Sequence, residues 1–379
     1  MHGEVTYTQR TMNGMSNMVS NVSLCTVVPR VTWLQFDLGE IVRFGPNSLS
    51  FNTSKAVSDI YAVRANVRKS DGYASMSPSR YTPNTLTAIS KNIHTFKRRI
   101  LTQAFSDQNI KEMEGRIQQN ISSFLDILAT DSGSESEWSS PKDISQICDW
   151  LAFDIITDLS YGNDLDMLNS PQMRSDTTST ALSATLNYIL HDSNMLAHLK
   201  SVIRMTFPTE SSITTSSVLS SPDCAVLRAC INEAMRLTPP APNLLPRTVL
   251  SGGMEVGGIY IPAGTTVGVS AYTIHRNKTY FHDPDSFEPE RWLDDNVVSQ
   301  QNMQTAFVPF SVGPRKCVAW RLAWAELNLT IARVLWRYDL RLAKNTCGCN
   351  AGTRCEYNFK AGVTTAVNGP VIEFRPRIA

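Results

Sequence analysis

Long apolar runs are missing: nowhere in the 379 residues do about 18 or more apolar side chains follow one another, the length that a membrane-spanning helix needs. An excess of one charge is missing too. The chain has 35 Lys and Arg against 34 Asp and Glu, a formal net charge of +1, which gives no overall basic field for a nucleic acid. Histidine is scarce, six in all. Cys347-Gly348-Cys349 with Cys355 has no histidine nearby, and three thiols leave a structural zinc site incomplete. The eight cysteines, at 25, 148, 224, 230, 317, 347, 349 and 355, show no regular spacing; that argues against a disulfide framework and fits a reducing compartment. No Walker loop, dinucleotide fingerprint or internal repeat is visible. What is present, 42% hydrophobic residues, is ample for the core of one large domain or two.

The most informative run is Phe310-Ser311-Val312-Gly313-Pro314-Arg315-Lys316-Cys317-Val318-Ala319. A cysteine binds iron as its anion, and a thiolate in a loop needs backbone donors and a nearby cation. Gly313 permits a tight turn at positive φ and a close backbone approach. Arg315, two residues before the sulfur, is placed to pair with a carboxylate. Taken alone, Cys317 reads more readily as a buried structural cysteine beside a Gly-Pro turn, and it is the whole run that points to a ligand.

Upstream, Glu233-Ala234-Met235-Arg236 lies in an apolar helical stretch from Leu227 to Leu237, with both charges on one face at i,i+3. On its own such a pair is usually a solvated one. Pro289-Glu290-Arg291-Trp292 supplies a second guanidinium. Between these motifs, Met254 to Gly264 reads as short strands and turns, with Gly257-Gly258 at one bend and Pro262-Ala263-Gly264 at another. Gly39 to Phe51 alternates and turns like a hairpin. His94 to Leu101 is a basic amphipathic helix that brings His94 and Arg98 to one face. Trp150 to Tyr161 is helix-like and closed by Gly162, and Asp176 to Met205 has helical spacing throughout. Asp176-Thr177-Thr178 at its start reads either as an N-cap or as an acid beside an alcohol able to pass protons.

The pattern Phe-x-x-Gly-x-Arg-x-Cys resembles the haem loop of the cytochrome P-450 family. Glu-x-x-Arg and Pro-Glu-Arg-Trp precede it in the family's order. The resemblance runs from about Gly39 to Gly162 and from Ser175 to Leu342. Arg43-Phe44-Gly45-Pro46-Asn47 and Leu335-Trp336-Arg337-Tyr338-Asp339-Leu340 look most like filamentous-fungal members that oxidise secondary metabolites. It implies a mainly α fold with small β-sheets and a bound haem with Cys317 as axial ligand. His94, Arg98, Arg247 (in Leu244-Leu245-Pro246-Arg247) and Arg315 lie at the propionates, and Phe310 and Gly313 shape the loop. Glu233, Arg236 and Arg291 form a structural triad, and Asp176 and Thr177 relay protons. The implied reaction puts one atom of dioxygen into an apolar small molecule, using electrons from an NADPH-dependent reductase. Lys97, Arg99 and Lys316 are expected to cluster where an acidic redox partner docks.

Departures from the family pattern are equally specific. Ala319 stands where glycine is usual, a mild change. Met173 and Arg174 replace the small pair ahead of the distal acid, and a buried Arg174 would need a partner. Only 13 residues separate Gly162 from Asp176, about 20 Å if helical, where the family places two helices and the first half of a third. The chain therefore reads as an atypical segment over 1–38 followed by a cytochrome P-450-like domain over 39–379. That domain carries an internal deletion near 163–175 and lacks both the family's N-terminal anchor and its pocket roof. The family usually sits at the endoplasmic-reticulum membrane facing the cytosol; with no anchor visible, a cytoplasmic or peripheral location is expected. The alternative is a non-catalytic truncated remnant or splice product of such an enzyme.

Overall fold

The computed structural model describes residues 39–377 apart from 78, 80, 130, 132–136, 163–166, 169–176, 345–356 and 358. The 1–38 segment, Asp176, Met173, Arg174, Cys347, Cys349, Cys355 and most of the 163–175 interval thus lie outside the described residues.

The helices are α1 (Ser54–Tyr61), α2 (Lys91–Ala104), α3 (Asp107–Leu128), α4 (Ile144–Tyr161), α5 (Thr177–His191), α6 (Ser193–Thr206), α7 (Thr215–Ser220), α8 (Ala225–Leu237), α9 (Ala271–Ile274), α10 (Val297–Ala306) and α11 (Trp320–Arg337). The strands are β1 (Ile41–Gly45), β2 (Ser48–Phe51), β3 (Val67–Lys69), β4 (Lys142–Asp143), β5 (Arg247–Val249), β6 (Met254–Val256), β7 (Ile259–Ile261), β8 (Thr266–Val269), β9 (Tyr338–Leu342), β10 (Phe359–Ala361), β11 (Thr365–Val367) and β12 (Val371–Pro376). The result is a mainly helical protein with small mixed sheets. Among the described residues no helix is long and apolar enough to cross a membrane.

Two apolar cores organise the molecule. The helical core is built where side chains recur at three- and four-residue steps, as Ile117, Ile121, Phe124 and Leu128 do on α3. Ser106 caps α3 by accepting from the Asn109 amide at 3.3 Å. Gly162 ends α4 at φ 77°, its amide donating to the Asp158 carbonyl at 2.8 Å. Helix α5 is buried on nearly every side and rich in Ser, Thr and Ala, small enough for α4, α8 and α11 to approach closely.

The second core joins α1 to a five-stranded sheet ordered β1-β2-β8-β5-β3. Its β2 and β8 run parallel, Phe51 opposite Val269, while β3 and β5 are antiparallel, Lys69 opposite Arg247. Gly257 and Gly258, at φ 59° and 83°, turn β6 into β7 as the paired glycines require.

One expected element is corrected. The run expected to be helical as far as Met205 is, from Thr177 on, two helices, because Asp192 leaves helical geometry and its carboxylate caps α6, accepting from Asn194 and Met195 amides at 3.1 and 2.9 Å.

Candidate functional site

The loop from Phe310 to Cys317 bridges the two cores. Phe310 packs against the helical core and Val312 against the sheet core. The backbone tightens around Gly313-Pro314-Arg315, with the Cys317 amide donating to the Phe310 carbonyl at 2.8 Å and the Lys316 amide to Gly313 at 3.0 Å. Gly313 has φ 70°, and a Cβ there would lie 1.9 Å from the Tyr61 carbonyl oxygen. The close approach that demands glycine is therefore to the end of α1, a partner that the sequence does not reveal. Ala319 caps α11 at φ −94°, a backbone conformation open to any L-residue, so the missing glycine leaves no strain.

Cys317 is exposed, yet protein crowds its thiol. Burial pushes the thiol above its ordinary value, while the Ala319 backbone, Arg98 and Lys316 draw it down. Arg98, half-buried on α2, donates to the Lys316 carbonyl next to the cysteine. Lys316 itself lies 4.2 Å over the Trp320 ring.

The other cations gather on one side of this loop. His94, Arg247 and Arg315 line a cavity of about 220 Å³ together with Lys69. His94 and Arg247 are buried at 5% and 4% exposure. Arg315 donates to the Ala88 and Ile89 carbonyls at 2.7 and 3.3 Å. Arg247 donates to the Leu245 and Pro246 carbonyls and stands over the Tyr61 ring. Burial first, and then Arg315, Lys69, Arg98 and Arg247, push His94 down to about 4; burial and Arg247 bring Arg315 down to about 10. Among the described residues no carboxylate pairs with any of these groups. Helix α2 is thus turned with its His94 and Arg98 face inward, leaving Ile93, Phe96 and Ile100 exposed.

Behind the loop, Glu233 and Arg236 are fully buried. Arg236 makes a bidentate pair with Glu233 at 2.8 Å on both nitrogens and donates to the His275, Pro284 and Ser286 carbonyls. Arg291 reaches Glu233 at 3.0 Å. Trp292 also donates its indole N–H to Glu233 at 2.9 Å, which the sequence reading missed although Trp292 stands in the same motif. His275, unsuspected from sequence, accepts from the Val308 amide at 2.9 Å and so steadies the run into the cysteine loop. It is held neutral, pushed down to about 3 by burial and by Arg236 and Arg276.

Of the distal pair only Thr177 is among the described residues. Asp176 lies outside the described residues, and Thr177 is exposed at the start of α5. Thr178 instead hydrogen-bonds Glu326, a carboxyl buried on α11 that burial pushes up to about 8. Nothing local in the sequence marks Glu326.

A haem fits this donor set. Its carboxylates would meet unneutralised cations, which are costly to bury without an anion, and Cys317 is an accessible soft ligand beside Arg98.

The family model for cytochrome P-450 matches the chain in two segments, 31–175 and 174–354. The cytochrome P-450 monooxygenase poxM of Penicillium oxalicum is 31% identical over 435 aligned residues, covering 89% of this chain and 83% of the relative. The cytochrome P-450 monooxygenase atnE of Emericella nidulans is 29% identical over 447, covering 89% and 85%. A cytochrome P-450 monooxygenase of Gibberella zeae is 29% identical over 425, covering 84% and 97%. Each of these alignments is longer than the 379-residue chain, so each relative carries residues with no counterpart here. The chain belongs to the cytochrome P-450 family, and by homology it is a monooxygenase of that family.

Proposed function

We propose that this chain binds haem through the Cys317 thiolate and oxidises an apolar small molecule, in fungal secondary-metabolite biosynthesis, with an NADPH-dependent reductase as partner. The observation that carries this reading is the convergence of His94, Arg98, Arg247 and Arg315, unpaired with any described carboxylate, beside an accessible Cys317. Bound haem with a thiolate ligand supplies reductive activation of dioxygen, one oxygen atom entering the substrate and the other leaving as water. Arg247 and Arg315 hold its carboxylates. Arg98 fixes the Lys316 carbonyl and thereby the turn that carries the sulfur. Phe310, Gly313 and the Glu233, Arg236 and Arg291 triad keep that turn in place. Proton delivery is assigned to Asp176 and to the Thr177 hydroxyl on the family pattern. The reductase docks on the basic surface of Lys97, Arg99 and Lys316. By resemblance this takes place at the cytosolic face of the endoplasmic reticulum.

A second reading has its own support. Alignments longer than the chain, with a family match whose two segments meet at 174–175, fit an internal deletion of the pocket roof. Such a chain would be a haem-binding remnant whose open site admits water and leaks reduced oxygen as peroxide. Two measurements decide. The reduced, carbon monoxide-treated protein should show a red-shifted thiolate Soret band that Cys317→Ala abolishes; the same band in the variant overturns the ligand assignment. NADPH consumption coupled to a hydroxylated product then selects the enzyme, and peroxide alone selects the remnant.

A further inference from the structure

A second cavity, of about 450 Å³, shares no residue with the cysteine loop or its cations and lies between the middle of α3, the single turn Glu210–Ser212 and α11. Its wall includes Gly115, Gln118 and Gln119 from α3, Ser211 from the turn and Arg333 from α11. Arg333 is 4% exposed. A guanidinium carries five N–H donors and no acceptor, yet among the described residues this one makes a single hydrogen bond, from Nη2 to the Ile213 carbonyl at 3.3 Å. Its Nε is enclosed with no acceptor at all. The carboxylates nearby are engaged elsewhere. Glu210 lines the same cavity but accepts from two Arg337 nitrogens at 2.8 and 3.0 Å. Glu114 accepts from the Thr215 amide and from Gln118, each at 2.8 Å. The fields of Glu210 and Glu114 reach Arg333 and that of Arg337 opposes them, so charge is balanced at a distance while the donors of Arg333 stay unmet.

A clamp that docks the 210–213 turn on α11 needs only the bond to Ile213, and a neutral donor would make it as well. A buried guanidinium with unmet donors is costly unless an acceptor comes to it. The cavity has room for a small molecule rather than a single water, and two neutral polar groups able to donate, the Gln119 amide and the Ser211 hydroxyl, stand on the same wall. We propose that this cavity binds the oxyanion group of a small molecule, a carboxylate or a phosphate, with Arg333 as its charged anchor and Gln119 and Ser211 as neutral donors. The planar fork of an arginine matches either group through two parallel hydrogen bonds. An occupant ties α3 and the turn to α11, the helix into which the cysteine loop runs. The site does not depend on the haem-binding reading.

The test is thermal melting of the full-length protein incubated with haem, titrated with inorganic phosphate and separately with acetate, against chloride at matched ionic strength. It is run on the wild type, Arg333→Gln and Gly115→Leu. Gly115 is exposed, and a Cβ added there meets nothing within 4 Å, so the leucine enters the cavity while every charge stays in place. The wild type should melt higher in phosphate or acetate than in chloride, by an amount that saturates, and the anion with the larger effect tells a phosphate site from a carboxylate site. Arg333→Gln should need about tenfold more of that anion for the same rise, the value of one charge-assisted hydrogen bond. Gly115→Leu should weaken the response in the same direction, and it carries the test alone should Arg333→Gln fail to fold. A wild type that melts no higher in either oxyanion than in chloride overturns the proposal. A rise that both variants keep in full also overturns it, because the anion is then bound elsewhere on the protein.

Discussion

Glu326 shows how a single buried side chain sets a pH dependence. It is 5% exposed on α11 with Thr178 as its hydrogen-bond partner, and burial raises it from 4.5 to about 8. Between those values the folded state keeps a proton that the unfolded chain has released. Folding then binds protons, so stability must fall as pH rises through that window and level off above it. Glu326→Gln removes the titration while keeping the shape. Melting temperatures taken from about pH 5 to 8.5 should slope downward more steeply for the wild type than for the variant; equal slopes would mean that Glu326 is ionised in the fold. At this scale the sequence is legible where chemistry sits at fixed short offsets. Gly313, Arg315 and Cys317 fall within one turn, and Glu233 and Arg236 share a helix face. Lys69, Glu326 and His275 were not legible, because each owes its place to a partner far along the chain: Arg247 across a strand pair, Thr178 on another helix, the Val308 amide beyond α10.

Elements follow the same division. The β1–β2 and β6–β7 hairpins, α8 and the end of α4 at Gly162 stand close to where alternation, glycine pairs and apolar periodicity put them. The break between α5 and α6 escaped because helical spacing continues across it, and only Asp192 and its two amide contacts mark the stop. That cap has a measurable value. Asp192→Ala should cost about 1 kcal/mol of stability, seen as a lower chemical-denaturation midpoint with an unchanged slope. No loss would mean that helix packing alone fixes the break. The inward turn of α2 was only half legible. Its basic face was clear, but the exposure of Ile93, Phe96 and Ile100 reverses the usual rule that the apolar face of a helix is buried. The cavity with Lys69, Arg247 and Arg315 supplies a reason for His94 and Arg98 to face inward instead.

For the whole molecule, the cysteine loop is the joint between two cores. Phe307 packs on both, Phe310 on the helical core and Val312 on the sheet core. The loop is also tied to α1 through the Gly313 and Tyr61 backbone approach, to α2 through Arg98, and to the 88–89 stretch through Arg315. A ligand that binds Cys317 and the cations of β3, β5 and α2 at once therefore touches both halves. It also neutralises charge that is otherwise buried uncompensated. Both effects stabilise only the folded chain, so haem should raise the melting temperature by mass action, about 2.7 kcal/mol when free haem is a hundredfold above its dissociation constant. The check is a pair of thermal scans on one preparation, haem-free and reconstituted, monitored by tryptophan fluorescence and by the Soret band. The reconstituted protein should melt higher, with both signals lost in one transition. If haem leaves at a lower temperature than the fold melts and the fold melts no higher than in the haem-free protein, haem is not bridging the two cores, and the basic cluster must answer to some other anion.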